Sequence, residues 1–423
     1  MFKKTTLKNG LRILTMPQKN TEAVTALILV GTGSKYEKKE TSGISHFLEH
    51  LLFKGTEKRP SQMAISEPLD RVGGVYNAFT GEEYTGFYAK VKSENFELAL
   101  DVLSDIFLNS KIDQKEMEKE KGVIIEEINM HQDHPMSYVQ ILWSRLLYGD
   151  QPAGWDIAGT KETVSKITRE DILRYMKSQY VAPNTLVCIA GKTPHSQKKT
   201  IKLAEGFFNK ISGEGFLKKP AVLEKQNEPD CLLQRKETDQ THLCFGARGY
   251  HLFHKDKYAQ EILAVILGGM MSSRLFAKIR EELGLAYYIS TGSSSCTDTG
   301  YLMTQAGVDN SKVEKAVSAI AQEYKRITEE KVPKEELEKA KENIKGKMAL
   351  LLETSDAWAS FYGLQEILEN KILTSKEIFK QIDAVSENDI LRVARDIFKP
   401  KNLNLALIGP FSDKAKFQKL LTI

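Results

Sequence analysis

The chain has 423 residues, 41% of them hydrophobic, which is enough apolar material for two sizeable cores. Sixty lysines and arginines against 56 acidic residues leave a formal charge of +4 without any basic block, so an electrostatic footprint for nucleic acid is excluded. The longest apolar runs, such as VTALILVG and EILAVILGGMM, fall far short of the roughly 20 residues a spanning helix needs, and no membrane partner is expected.

The opening MFKKTTLKNGLRILTM lacks the apolar stretch and small-residue cleavage site of a signal peptide. Four widely spaced cysteines, Cys188, Cys231, Cys244 and Cys296, form no CxxC pair and suit reduced thiols. A cytoplasmic location is therefore expected.

NGLRILTM and AVTALILVGTG read as strands, and SGISHFLEHLLFKGT (Ser42–Thr56) reads as a helix. At about 100° per residue, with His46 at zero, His50 falls near 40° and Glu49 near 300°, while Ile44, Phe47, Leu48 and Leu51 lie between about 100° and 200°. Three polar groups thus share one face opposite the core residues. Two imidazoles at i and i+4 can reach one metal ion, and a carboxylate just before the second can act on a water at the metal instead of ligating. A catalytic zinc of this kind needs a third protein ligand from elsewhere.

The helix expected from Asp113 to about Met130 supplies the best source. With Met117 at zero on the same wheel, Ile124 and Ile128 define a buried stripe, Glu127 falls near 280° and Glu120 near 300°, at its edge, and Glu126 near 180° points to solvent. Glu127 is the expected third ligand, and Glu120 an accessory carboxylate beside it. The HQDHP segment that follows, with His131 and His134, reads as a helix exit into a solvated loop. His242, His251 and His254 have no carboxylate at ligand spacing, His195 sits in a KTPHSQKK turn, and none of the four receives a role.

The second half repeats the first. Placing Ile112 against Val332 pairs Glu116 with Glu336, Met117 with Leu337, Glu118 with Glu338, Lys119 with Lys339 and Ile124 with Ile344 without a gap. Lys347 then stands opposite Glu127 and Ala340 opposite Glu120, and no HxxEH occurs in the second half, so only one half is expected to hold metal. Gly, Pro and charge cluster in Gly213–Pro229, which places the boundary there. The expected organisation is a metal domain at 1–213, a linker at 214–229 and a homologous domain without metal at 230–423. Alternating strand-like and longer helical segments indicate an α+β fold, each domain a mostly antiparallel sheet with helices packed on one face.

HFLEH followed by Glu127 resembles the inverted zincin signature of the pitrilysin superfamily, nearest the branch of the mitochondrial processing peptidase β subunit and its bacterial relatives. The likeness runs from LKNGLRIL through RVGGVYNAFTGEEYTGFYAKV and EKEKGVIIEEI to GGMMSSRLFAKIREELGLAYYIS and ALIGPF, essentially the whole chain. It implies a zinc endopeptidase with one Zn2+ per chain on His46, His50 and Glu127, with Glu49 as general base and Glu120 in support. It further implies that an edge strand, here Asn77, Ala78, Phe79 and Thr80, receives an extended peptide by main-chain pairing. Arg280 and Tyr287, seven residues apart in the second half, match a pair that holds substrate near the metal. The family encloses substrate between four such domains, so a homodimer is expected. Pro68 departs from the pattern, because it falls in a helix-like segment leading to the edge strand and an interior proline costs about 3 kcal/mol. The alternative function is a non-catalytic structural or partner-binding subunit. His₂Glu sites also accept manganese or cobalt.

Overall fold

In the computed structural model, which describes residues 2–423, the strand-like segments pair into two sheets of one topology. The first contains β1 (Lys3–Thr6), β2 (Arg12–Pro17), β3 (Ala23–Val30), β4 (Val75–Thr80), β5 (Thr85–Lys92) and β6 (Thr185–Gly191) in the order β1-β2-β6-β3-β5-β4. The second contains β7 (Asp230–Arg235), β8 (Gln240–Arg248), β9 (Ala286–Ser295), β10 (Gly300–Asp309) and β11 (Leu403–Gly409) in the order β7-β11-β8-β10-β9. Laid side by side, β2, β6, β3, β5 and β4 correspond in turn to β7, β11, β8, β10 and β9. In both sheets the first of these pairs is parallel and the rest antiparallel. The repeat inferred from helical residues therefore extends to strand order.

Five helices of the first half matter below: α1 (Ile44–Leu52), α2 (Gln62–Asp70), α3 (Phe96–Asn109), α4 (Gln114–Asp133) and α5 (Pro135–Tyr148). The hairpin β4–β5 leads into α3 and α4, and the hairpin β9–β10 leads in the same way into helices Val313–Glu329 and Lys334–Leu351. Lys347, opposite Glu127 in the repeat, donates from Nζ to the Gly269 carbonyl at 2.8 Å.

The chain forms two compact units, and the switch between Pro220 and Ala221 lies inside the expected linker. Two further transfers depart from a single linear cut. The first unit contains the chain up to Asn129, Asp156–Pro220 and also Ala349–Ile372; the second contains Met130–Trp155, Ala221–Met348 and Leu373–Ile423. Both faces of each sheet explain this exchange. In the first unit Val24, Ala26, Ile28 and Phe87 face the layer holding α1 and α3. Leu14, Met16, Leu27, Leu29, Leu186 and Cys188 on the opposite face are equally buried, and their cover is Ala359 and Tyr362 of the helix Ser355–Glu369. In the second unit α5 does the same, setting Val139, Leu142 and Trp143 against Cys244, Ala406 and Ile408. The expected one-sided helical packing describes the larger layer, and a borrowed helix covers the other face.

Pro68 does not stop α2, which runs on to Asp70 from an N-cap at Ser61, whose hydroxyl accepts the Ala64 N–H. The proline falls in the last turn, where it forgoes the one N–H that would bond the Ala64 carbonyl, and only Leu69 and Asp70 follow it in the helix. Gly86 on β5 leaves room for Phe79, since a Cβ there would stand 2.2 Å from the Phe79 ring. No helix among the described residues is long and apolar enough to cross a membrane. None of the four cysteines is in a disulfide, and three of them are buried.

Candidate metal and catalytic site

Helix α1 buries Ile44, Phe47, Leu48, Leu51 and Leu52 and turns His46 and His50 to the other side, as the wheel requires. Helix α4 buries Met117, Glu120, Ile124 and Ile128, leaving Glu126 exposed and Glu127 at the edge. The two helices bring three ligand atoms together within 4.8 Å of one another. His46 Nε2 and His50 Nε2 are 3.2 Å apart, and Glu127 Oε2 lies 3.7 Å from the first and 3.6 Å from the second. A tetrahedral ion with bonds of about 2.0–2.1 Å spans ligand pairs about 3.3–3.4 Å apart, so the triangle has the size zinc needs. His50 Nδ1 faces Glu120 Oε1 at 2.8 Å, an arrangement that places the proton on Nδ1 and leaves Nε2 its lone pair for metal.

Glu120 is itself held by Lys54, whose Nζ lies 2.7 Å from Oε2. Burial would raise its pKa, but the hydrogen bonds from His50 and Lys54 and their charges outweigh burial and hold the carboxyl below its ordinary range. Glu49 goes the other way. Burial raises its pKa, against the pull of the Thr80 hydroxyl and of His50, and Glu127 adds to the rise. Thr80 Oγ1 donates to Glu49 Oε2 at 2.5 Å. A carboxylate with a raised proton affinity beside a metal triangle is suited to take and return a proton. Beside it opens a cavity of about 290 Å³, walled by Phe53, Tyr76 and Ala78 and edged by Glu49, His50 and Gln62.

Residues that pattern reading missed fix the start of α1. Gly43 has φ 95°, and a Cβ there would meet the Ala158 carbonyl at 2.6 Å. Glu37, wholly buried, accepts the Gly43 N–H at 2.7 Å and the Ser45 N–H at 2.8 Å. Its carboxylate so serves the cap from outside the helix, and burial pushes its pKa up to about 7 despite those donors. Below, the Tyr175 hydroxyl lies 2.7 Å from Ser45 Oγ and 2.8 Å from Thr32 Oγ1. Capping signals are sought at the residue next to a helix, and Glu37 stands several residues before Gly43, which hid it.

Asn77, Ala78, Phe79 and Thr80 lie on β4, the last strand of its sheet, paired with β5 on one side only. Arg280 and Tyr287 belong to the second unit. Arg280 lies in a π-helical stretch, Phe276–Glu282, with its guanidinium 4.8 Å from the Phe276 ring centre. Tyr287 is the extra residue of a β-bulge, since Tyr288 pairs with Gly307 and Ala286 with Val308, and its side chain is 75% exposed. Bulges of this kind re-aim a side chain out of the strand's alternation. His131 stands in the last turn of α4, and exposed His134 is the single residue between α4 and α5, so the expected solvated loop is replaced by a direct passage from one helix to the next. His195 bonds Glu97 and His242 bonds Tyr288, which leaves them ordinary structural roles.

Residues 12–161 match the family described as Insulinase (Peptidase family M16), and residues 166–344 match the Peptidase M16 inactive domain. A protein named "Uncharacterized zinc protease YmxG" from Bacillus subtilis is 38% identical over 411 residues, covering 97% of this chain and 98% of that protein. An "Uncharacterized zinc protease" of Rickettsia felis is 35% identical over 406 residues, covering 96% of each. Among solved structures, a protease from Helicobacter pylori superimposes with a TM-score of 0.90 at 23% identity, over 97% of this chain and 99% of that one. A peptidase M16 inactive domain from Pseudomonas fluorescens gives 0.88 at 16% identity, over 98% and 99%. These two likenesses concern the fold.

Proposed function

This chain belongs to the insulinase family of peptidases, M16, and from that premise we propose that it is a zinc-dependent endopeptidase acting on extended peptides. The observation that carries the reading is the triangle of His46, His50 and Glu127 with the half-buried carboxyl of Glu49 beside it. His46, His50 and Glu127 hold one zinc per chain, and Glu120, braced by Lys54, fixes the tautomer and direction of His50. Zinc supplies Lewis acidity, polarising a carbonyl and easing the ionisation of water. Glu49 takes the proton from the attacking water and delivers it to the leaving amine. Thr80 orients the Glu49 carboxyl for both transfers.

Substrate joins β4 as an added strand along Asn77–Thr80, and main-chain pairing tolerates many sequences. The cavity walled by Phe53, Tyr76 and Ala78 accepts a side chain of that peptide. Arg280 and Tyr287 hold the peptide and stabilise its oxyanion, a role that the family likeness suggests and that the outward aim of Tyr287 favours. The working form is a cytoplasmic homodimer, which encloses unfolded peptides and spares folded proteins.

The test is Glu49→Gln, read by metal analysis and by cleavage of a quenched-peptide panel. Bound zinc should stay at one per chain while turnover falls by about a hundredfold or more. Near-normal turnover with unchanged zinc removes Glu49 from the role of base, and a wild-type chain that binds no zinc favours the structural subunit.

A further inference from the structure

The turn Gly81–Tyr84, which closes the hairpin β4–β5, is gripped along its backbone by the loop that follows β3. Ser34 N–H donates to the Gly81 carbonyl at 3.3 Å and Lys35 N–H to the Glu82 carbonyl at 2.9 Å. The approach is so close that a Cβ on Gly33 would stand 2.1 Å from Gly81 O. Beneath this contact Lys35 Nζ lies 3.0 Å from Glu83 Oε1, with the two side chains only 1% and 3% exposed. A second cation reaches the same oxygen: Lys219 Nζ, at 3.2 Å.

Lys219 belongs to the irregular segment that joins the two halves. From Ser212 to Pro220 every residue is exposed except Lys219, whose side chain turns inward and keeps 13% of its surface. Glu83 already has Lys35 as a partner of opposite charge, and withdrawing another ammonium from water is costly. That cost has a structural return. Thr80, one residue before the turn, donates to Glu49, so anything that fixes the turn also fixes the hydroxyl that aims the Glu49 carboxyl.

We propose that Lys219 is a positioning residue for Glu49, acting through Glu83 and the hairpin turn; the role rests on the reading of Glu49 as the general base. Removing Glu83 would also break its buried pair with Lys35 and endanger the fold, so it gives no clean test. Lys219→Met keeps the aliphatic stem and leaves the Lys35–Glu83 pair intact, and Lys219→Arg keeps the charge.

Both variants are compared with wild type as the full zinc-loaded chain, by amide hydrogen exchange over residues 76–84 and by peptide-cleavage kinetics. Lys219→Met should hold wild-type zinc and melt near the wild-type temperature. Its hairpin amides should exchange about tenfold faster, with those of β6 unchanged. Its kcat should fall about tenfold or more at a KM within about twofold. Lys219→Arg should restore both protection and kcat. Unchanged exchange in Lys219→Met overturns the proposal whatever the activity, and faster exchange with undiminished kcat overturns the positioning role. A zinc-loaded wild type that cleaves no peptide overturns the peptidase reading and this role with it, and the wild-type control tells that failure from the others.

Discussion

Glu126 and Glu127 are adjacent and chemically identical, yet one is exposed and the other stands 3.6–3.7 Å from two imidazole nitrogens. Their difference is rotation by about 100° around α4, enough to move a carboxylate from solvent to the edge of a buried stripe. Glu127→Gln should weaken zinc binding by at least about a hundredfold, while Glu126→Gln should leave it within about twofold, as read by chelator competition. Equal losses would displace Glu127 from the ligand set. At this scale the clustering of His46, His50 and Glu127 was legible because helical periodicity ties sequence spacing to direction. Thr80 was legible only as part of a strand, because its bond to Glu49 depends on how the hairpin folds back over α1. Glu37 and Lys219 carry no periodic signature at all.

Helix α1 is short, and its entry is unusual. Its first N–H groups are satisfied by a carboxylate from the preceding loop in place of a side chain at the cap position itself. Burial raises the Glu37 pKa to about 7 from an ordinary value of 4.5, so the folded chain holds this proton more tightly than the unfolded one. The stability this group contributes is present in full below about pH 4.5 and is lost as pH rises through about 7, on the order of 3 kcal/mol at most. Between pH 5 and 8 the metal-free chain should therefore lose stability to urea. Glu37→Gln, which carries no titrating proton, should remove most of that slope. A slope identical in the two proteins would show that Glu37 does not titrate there. The helix itself was readable from the alternation of apolar and polar positions in HFLEH. Its cap was not, for a cap supplied from outside the helix depends on the path of the loop.

Each unit owes one layer to sequence from the other half of the chain. The helix Ser355–Glu369 covers the second apolar face of β2, β3 and β6, and Glu366 anchors it through Arg12 at 3.2 Å and Lys4 at 3.1 Å, fully buried at its own side chain. Residues 1–220 expressed alone should therefore expose Leu27, Leu29 and Leu186 and aggregate. The same residues joined through a flexible tether to 349–372 should be soluble and fold cooperatively, as gel filtration and thermal melts can show. A soluble, cooperatively folded 1–220 would contradict the packing. The repeat was legible in the aligned residues of α4 and Lys334–Leu351, because corresponding helices keep corresponding faces. The exchange was not, since an amphipathic helix announces that it needs a partner without saying which sheet supplies it.

The same exchange sets an order of events at the ribosome. Residues 1–220 emerge first, but the segment that covers their sheet begins about 130 residues later. At a synthesis rate of about 5–20 residues per second, the apolar strands of the nascent first half stay uncovered for on the order of ten seconds. During that interval the chain presents the features that chaperones bind, and the half that carries HFLEH gains its second layer only when nearly the whole message has been read.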